Sequence, residues 1–297
     1  MQVLLEHDAP TDCKNKQQAT PFHCACVAHD FTRDLDEGPI ECLKLLIEKT
    51  PDDKLSNYLN YQDIHGRTCL MFAVTRGCNE RVKLLLEGGC DTKILDNSGD
   101  SCVHVASIHG HFEILVEIIK HLSKKLKHST EQLSDFLNQK GRRGMTAMGY
   151  AGIHGHNPVI TQLLKHKADI NFVDDRNRNI YHCVAYSGDN DTLGLVSSQV
   201  QAQAKKNFLD TINDEDEAEM AAEKKDSKVI NDRDDHKLLP LHYAAWSAKS
   251  SALKWLLNRK VDTKIERESG EKVIISDKDV KGRSPLHYAM MNDSIGK

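Results

Sequence analysis

Aromatic residues are scarce in this chain: two Trp, seven Tyr and seven Phe among 297 residues, or 5%. Together with hydrophobic residues at 39%, that shortage fits many small amphipathic helices with thin cores, and the 39% is itself too high for a disordered chain. Long apolar runs are missing as well. None approaches the roughly 20 residues that cross a bilayer, and the opening MQVLLEHDAP carries no basic region of the kind that starts a signal peptide. Membrane insertion and secretion are therefore not expected. The nine cysteines form an odd number without a C-x-x-C pair, which argues for reduced thiols and an intracellular location, cytoplasm or nucleus. No phosphate loop, H-E-x-x-H helix or G-x-S-x-G elbow occurs, so neither catalysis nor a cofactor is expected. Net charge is −4, and the segment 210–235 alone holds eleven acidic and four basic residues. The remainder is nearly balanced, with no broad basic face for nucleic acid.

What the chain does have is one seven-residue phrase used seven times. It reads TPFHCAC at Thr20, TCLMFAV at Thr68, SCVHVAS at Ser101, TAMGYAG at Thr146, NIYHCVA at Asn179, LPLHYAA at Leu239 and SPLHYAM at Ser284. The intervals are 48, 33, 45, 33, 60 and 45 residues. A 33-residue period with insertions predicts a solenoid, in which each unit packs only on its neighbours. One continuous array is expected, with units at 20–62, 63–95, 96–140, 141–173, 174–233 and 234–278 between partial units at 1–19 and 279–297.

The stretch 63–96 shows how a unit works. Gly66 supplies a turn and Thr68 caps a first helix whose buried stripe is Leu70, Ala73 and Val74. Gly77 ends that helix in the left-handed region, and Val82, Leu85 and Leu86 face inward on the second helix. Gly88 and Gly89 then turn the chain outward into a finger.

These residues resemble the ankyrin repeat, whose phrase is G-x-T-P-L-H-x-A-A-x-x-G-H followed by a Leu pair. The resemblance covers nearly the whole chain. It implies an all-α solenoid of stacked helix-turn-helix units with β-turn or hairpin fingers, the first helices lining a concave face, and protein recognition without catalysis. Met71 and Gly149 stand where the family has histidine, and Asn179 and Leu239 stand where it has threonine. Losing a cap costs roughly 0.5–2 kcal/mol, so the fifth and sixth units are expected to be softer. Both ends of the chain fall inside repeats, which suggests a piece of a longer array.

Three insertions interrupt the period. HLSKKLKHSTEQLSDFLNQK is expected to be a helical extension, packed through Leu122, Leu126, Leu133, Phe136 and Leu137. In 197–232 the helix is expected to continue through VQAQAKKNFLDTI, and the acidic stretch DEDEAEMAAEKKDSK to form a mobile loop or frayed helix. KIERESGEKVII at 264–275 suits a β-hairpin.

Sixteen histidines invite a metal reading that their spacing does not support. The resemblance gives His23, His104, His182, His242 and His287 a structural hydrogen bond near the cap. The repeated I-H-G-H places His109 and His154 on equivalent positions of neighbouring units. Helices about 8–10 Å apart hold two such rings too far apart to share a zinc without further ligands. Cys24 and Cys26 lie two apart on a helix and point to different sides. No metal is expected.

The residue seven positions beyond the first of each phrase, the one that follows it, is Val27, Thr75, Ile108, Ile153, Tyr186, Trp246 and Met291 in turn. In the family this slot faces the groove. Six of the seven are apolar or aromatic, the types enriched at interface hot spots. The next position adds a polar edge that includes Arg76, His109, His154, Ser187 and Ser247. Finger-tip arginines, Arg67, Arg143 and Arg178 among them, would extend the surface with a basic fringe suited to acidic peptides. The expected function is a scaffold that binds a partner protein or peptide through groove and fingers. Two alternatives stand beside it: the targeting arm of a longer protein, such as a tankyrase-like ADP-ribosyltransferase or an ankyrin-rich ion channel, and a structural spacer.

Overall fold

Six of the seven recurrences of the phrase become the first helix of a pair, and the seventh becomes the last helix of the described residues. The structure is a computed structural model that describes residues 3, 6–7, 9–27, 38–127, 129–211, 214–258 and 277–293. Those residues hold sixteen α-helices and no strand. The expected hairpin at 264–275 lies outside them.

The chain divides into two compact units, Met1–Arg142 and Arg143–Lys297. The first contains α1 (Pro21–Val27), α2 (Gly38–Lys49), α3 (Asp52–Leu59), α4 (Cys69–Arg76), α5 (Asn79–Glu87), α6 (Cys102–His109), α7 (Phe112–Lys125) and α8 (Thr130–Leu137). Helices α1, α4 and α6 stack as one layer, and α2, α5 and α7 as the other. The second contains α9 (Ala147–His154), α10 (Asn157–Lys165), α11 (Ile180–Ser187), α12 (Asn190–Leu209), α13 (Glu215–Ile230), α14 (Pro240–Trp246), α15 (Ser250–Asn258) and α16 (Pro285–Asp293). Here α9, α11, α14 and α16 stack in sequence, backed by α10, α12 and α15.

Local chemistry starts and stops these helices as the pattern predicts. The Thr68 hydroxyl accepts from the Met71 N–H at 3.4 Å, and Gly77 closes α4 at φ 74°. Leu70, Ala73, Val74, Val82 and Leu85 are fully buried, and burial of each large side chain contributes about 1.5–3 kcal/mol. Asn179 corrects one expectation. Its side chain accepts from Tyr181 N–H at 3.0 Å and His182 N–H at 3.3 Å, because Asn caps a helix as well as Thr does. Leu239 has no capping side chain.

The phrase histidines form a second, longer-range bond. In His23, His104, His182 and His242, Nδ1 accepts the backbone N–H of the cap residue at 3.0–3.2 Å. Nε2–H then donates to a carbonyl on the way into the next repeat: Arg67, Gln139, Leu238 and Asp277, at 2.9–3.1 Å. Where Met71 and Gly149 replace the histidine, apolar packing takes over. Met71 is buried, and a Cβ on Gly149 would lie 2.3 Å from Met145 Sδ and 2.7 Å from Phe172 Cζ.

The fingers are Asx turns built on aspartate. Asp63 Oδ1 accepts from the N–H groups of His65 and Arg67 at 2.8 and 2.9 Å, and Asp174 and Asp279 repeat the pattern. One backbone bond links each of these fingers to the next within a unit: Asn97 N–H to His65 O at 2.9 Å, Asp235 N–H to Arg176 O at 3.0 Å, and Val280 N–H to His236 O at 3.1 Å.

The insertions after α6 and within 197–232 are helical. In the extension after α6, Leu122, Leu133 and Leu137 are buried while Leu126 and Phe136 are half-buried. Of the two expected forms, mobile loop or frayed helix, the acidic stretch takes the helical one. It forms the sixteen-residue helix α13, which packs along α12 through buried Ala218, Ala222, Asp226, Val229 and Ile230. Its other acidic residues are exposed, and at its N-terminus Glu215, Asp216 and Glu217 favour the helix dipole.

Candidate protein-binding face

The residues that follow each phrase occupy corresponding places near the C-terminal ends of the first helices. In the second unit, Ile153 on α9, Tyr186 on α11, Trp246 on α14 and Met291 on α16 follow one another along the stacked layer. Tyr186, Trp246 and Met291 are 46%, 44% and 46% exposed, while Ile153 is half-buried. The Tyr186 and Trp246 rings meet edge to face, centroids 6.4 Å apart at 87°, an arrangement favoured by the ring quadrupoles. Trp246 also lies 5.9 Å from the buried ring of Tyr288. Tyr288 is fixed in turn by a bond to Asp279 at 2.7 Å and by the Arg283 guanidinium over its face at 4.7 Å. Two exposed aromatics are thus held on a rigid support.

Ile153, His154, Tyr186, Ser187, Trp246, Ser247 and Lys249 line an open cleft of about 370 Å³ beside this pair. His154 stacks on His156 at 5.7 Å, and burial, with the neighbouring His156, lowers its pKa from 6.5. A second depression, about 430 Å³, is lined by Arg283, Leu286, His287, Met290 and Met291. Lys249 is the residue that the phrase positions miss. It lies beyond the repeated segment and reaches back, donating from Nζ to Ser187 O at 2.6 Å.

In the first unit the same position gives Thr75 on α4 and Ile108 on α6, followed by Arg76 and His109. Thr75 is exposed and its hydroxyl donates to Met71 O at 2.8 Å, whereas Ile108 is half-buried. His109 stacks on His111 at 5.6 Å. Two of the three finger arginines are engaged locally. Arg67 is paired with Asp63 at 2.8 Å and Arg178 with Asp174 at 2.6 Å, each within its own turn. The D-x-x-x-R spacing serves the finger itself, and only Arg143 of the three is exposed.

Among the described residues no group of three or more His, Cys, Asp or Glu is placed to hold a metal ion, and no helix is long and apolar enough to cross a membrane. Burial pushes the Cys102 and Cys183 thiols up to about 12. Cys26 is pushed well above its usual range by its thiol neighbour Cys69 and by burial. Such thiols are poor nucleophiles. Cys24, two residues from buried Cys26, is exposed.

The model of the family described as Ankyrin repeats (3 copies) matches residues 34–128, which carry two full phrases and their capped helices. The chain is an ankyrin-repeat protein. Its array is 35% identical over 81 residues to the nuclear factor NF-kappa-B p105 subunit of Gallus gallus, a match covering 27% of this chain and 8% of that protein. It is 25% identical over 146 residues to the E3 ubiquitin-protein ligase KEG of Arabidopsis thaliana, covering 46% and 8% respectively. The Notch-regulated ankyrin repeat-containing protein B of Danio rerio is 29% identical over 96 residues, 32% of this chain and 85% of that protein. The ankyrin array thus matches less than a tenth of the first two relatives. Ankyrin repeats are generally protein-interaction modules, and the family is generally non-catalytic.

Proposed function

We propose that this ankyrin array is a non-catalytic recognition module of the cytoplasm or nucleus that holds a partner protein or peptide on the first-helix face of its second unit. The exposed, edge-to-face pair Tyr186 and Trp246 carries this reading. Paired aromatics on a rigid support lose little entropy on binding and supply large contact areas. Affinity capture from cell lysate with the parent chain beside a Tyr186→Ala/Trp246→Ala variant, read by mass spectrometry, tests it. Partners recovered by the parent alone support the face, and identical recoveries remove it.

A second reading makes the array the targeting arm of a longer enzyme. The likeness to part of a ubiquitin ligase supports it. A catalytic signature in the full transcript is its expected sign, and a transcript that encodes repeats alone would rule it out.

A further inference from the structure

The cleft beside Trp246 has a charge of one sign built into it. Seven residues line it, and neither Asp nor Glu is among them. The Ser187 and Ser247 hydroxyls donate inward, to Val184 O at 2.8 Å and Ala244 O at 3.0 Å. The cationic donor of the wall is therefore Lys249.

Lys249 is held in place rather than left to sweep through solvent. Its stem lies over Gly188, where a Cβ would meet Lys249 Cδ at 2.3 Å and Cβ at 2.6 Å. Gly188 has φ 75°, a conformation that suits glycine and leaves room for the stem. Nζ is tethered to Ser187 O at 2.6 Å, and Ser251 Oγ ties the same turn by donating to Gly188 O at 2.8 Å. An ammonium has three protons, so one tether leaves donors that can face a ligand.

We infer that the cleft selects a linear segment of a partner protein in which an Asp or Glu side chain lies next to a large apolar one. The apolar residue packs on the Tyr186 and Trp246 rings, and the carboxylate accepts from Lys249 Nζ. This rests on the reading of the aromatic face as the partner surface. It adds a charge requirement that the finger arginines do not supply, since Arg67 and Arg178 are committed to Asp63 and Asp174.

A phage-displayed random dodecapeptide library, selected against the full chain, against Lys249→Glu and against Trp246→Ala, tests the assignment. The parent is expected to enrich peptides with an acidic residue beside Leu, Phe, Tyr or Trp. Synthetic versions of these peptides should bind Lys249→Glu about ten- to a hundredfold more weakly, the scale of one lost charge-assisted hydrogen bond. Their Glu→Gln or Asp→Asn forms should bind the two proteins alike. Circular dichroism of the variants confirms that they fold. The same peptides enriched on parent and Lys249→Glu, enrichment of basic or uncharged peptides, or no enrichment at all would overturn the charge assignment. If enrichment depends on Trp246 but not on Lys249, the aromatic face stands and the acidic ligand falls. If it depends on neither, both fall.

Discussion

His182 Nε2 lies 3.0 Å from the backbone oxygen of Leu238, the residue before the Leu239 cap of the next first helix. The same ring accepts the Asn179 N–H at 3.2 Å, so one imidazole joins a helix cap to the following repeat. The ring does this as the neutral tautomer with its proton on Nε2. Burial drives its pKa down from 6.5 to about 4, against the opposing pull of the Leu238 carbonyl.

Acid should therefore weaken the fold through this residue. The unfolded chain binds a proton on the histidine near pH 6.5, the folded chain only near 4, so stability is full above the first value and falls as pH drops towards the second. At pH 5 the loss from His182 alone is about 2 kcal/mol, and His23 and His242, also lowered chiefly by burial, act with the same sign. Urea unfolding at pH 7.5 and pH 5 measures this. A His182→Gln variant should show a shallower pH dependence than the parent, and equal slopes would refute the assignment.

Trp246→Ala and Tyr186→Ala should each weaken partner binding by about 1–2 kcal/mol while leaving helical content unchanged. Both side chains are nearly half exposed, so their loss removes little core. Titration calorimetry with a recovered partner fragment is the measurement. Loss of helical signal in step with affinity would instead give these rings a structural role.

Asp226 is the polar hub of the α12–α13 hairpin. It is 3% exposed and accepts from Tyr181 Oη, from Ser197 Oγ at 2.8 Å and from Gln201 Nε2 at 2.9 Å. Asp226→Ala would strand these donors, at a cost of roughly 2–3 kcal/mol. Hydrogen exchange should quicken in α13 and the facing turns of α12, with α4 and α6 unaffected. Unchanged exchange in α13 would show that its apolar stripe suffices.

Gly149→Ala sets helix propensity against space. Alanine gains up to about 1 kcal/mol inside a helix, but overpacking costs about 1–3 kcal/mol. The clash at 2.7 Å is with Phe172, itself only 6% exposed, so crowding should win. A lowered Tm is the expected outcome, and a raised one would mean that Phe172 has room to move.

The repeat period and phrase made the helix pairs legible before any coordinates, because each residue of the phrase has a fixed physical task. Thr68 caps, Leu70 and Val74 bury, Gly77 turns. The positions of Tyr186 and Trp246 followed from the same counting. The acidic helix α13 did not. Its buried stripe uses Ala218, Ala222 and Asp226, small or charged residues whose spacing is helical but whose composition reads as solvated. The roles of Arg67 and Arg178 were hidden by their position at turns. Their partners lie four residues back, a spacing that matters only once the turn brings the pair together. Lys249 was out of reach for another reason: it acts on Ser187, 62 residues away, and no local pattern reports such a contact.

The alternation of histidine with Met71 and Gly149 gives the solenoid two kinds of joint. Those clipped by His23, His182 and His242 are hydrogen-bonded and titratable, whereas those behind Met71 and Gly149 are sealed by packing alone. As pH falls, the first kind slackens and the second does not respond. Acid is therefore expected to loosen the array first at the joints of His23, His182 and His242, while the greasy seams hold.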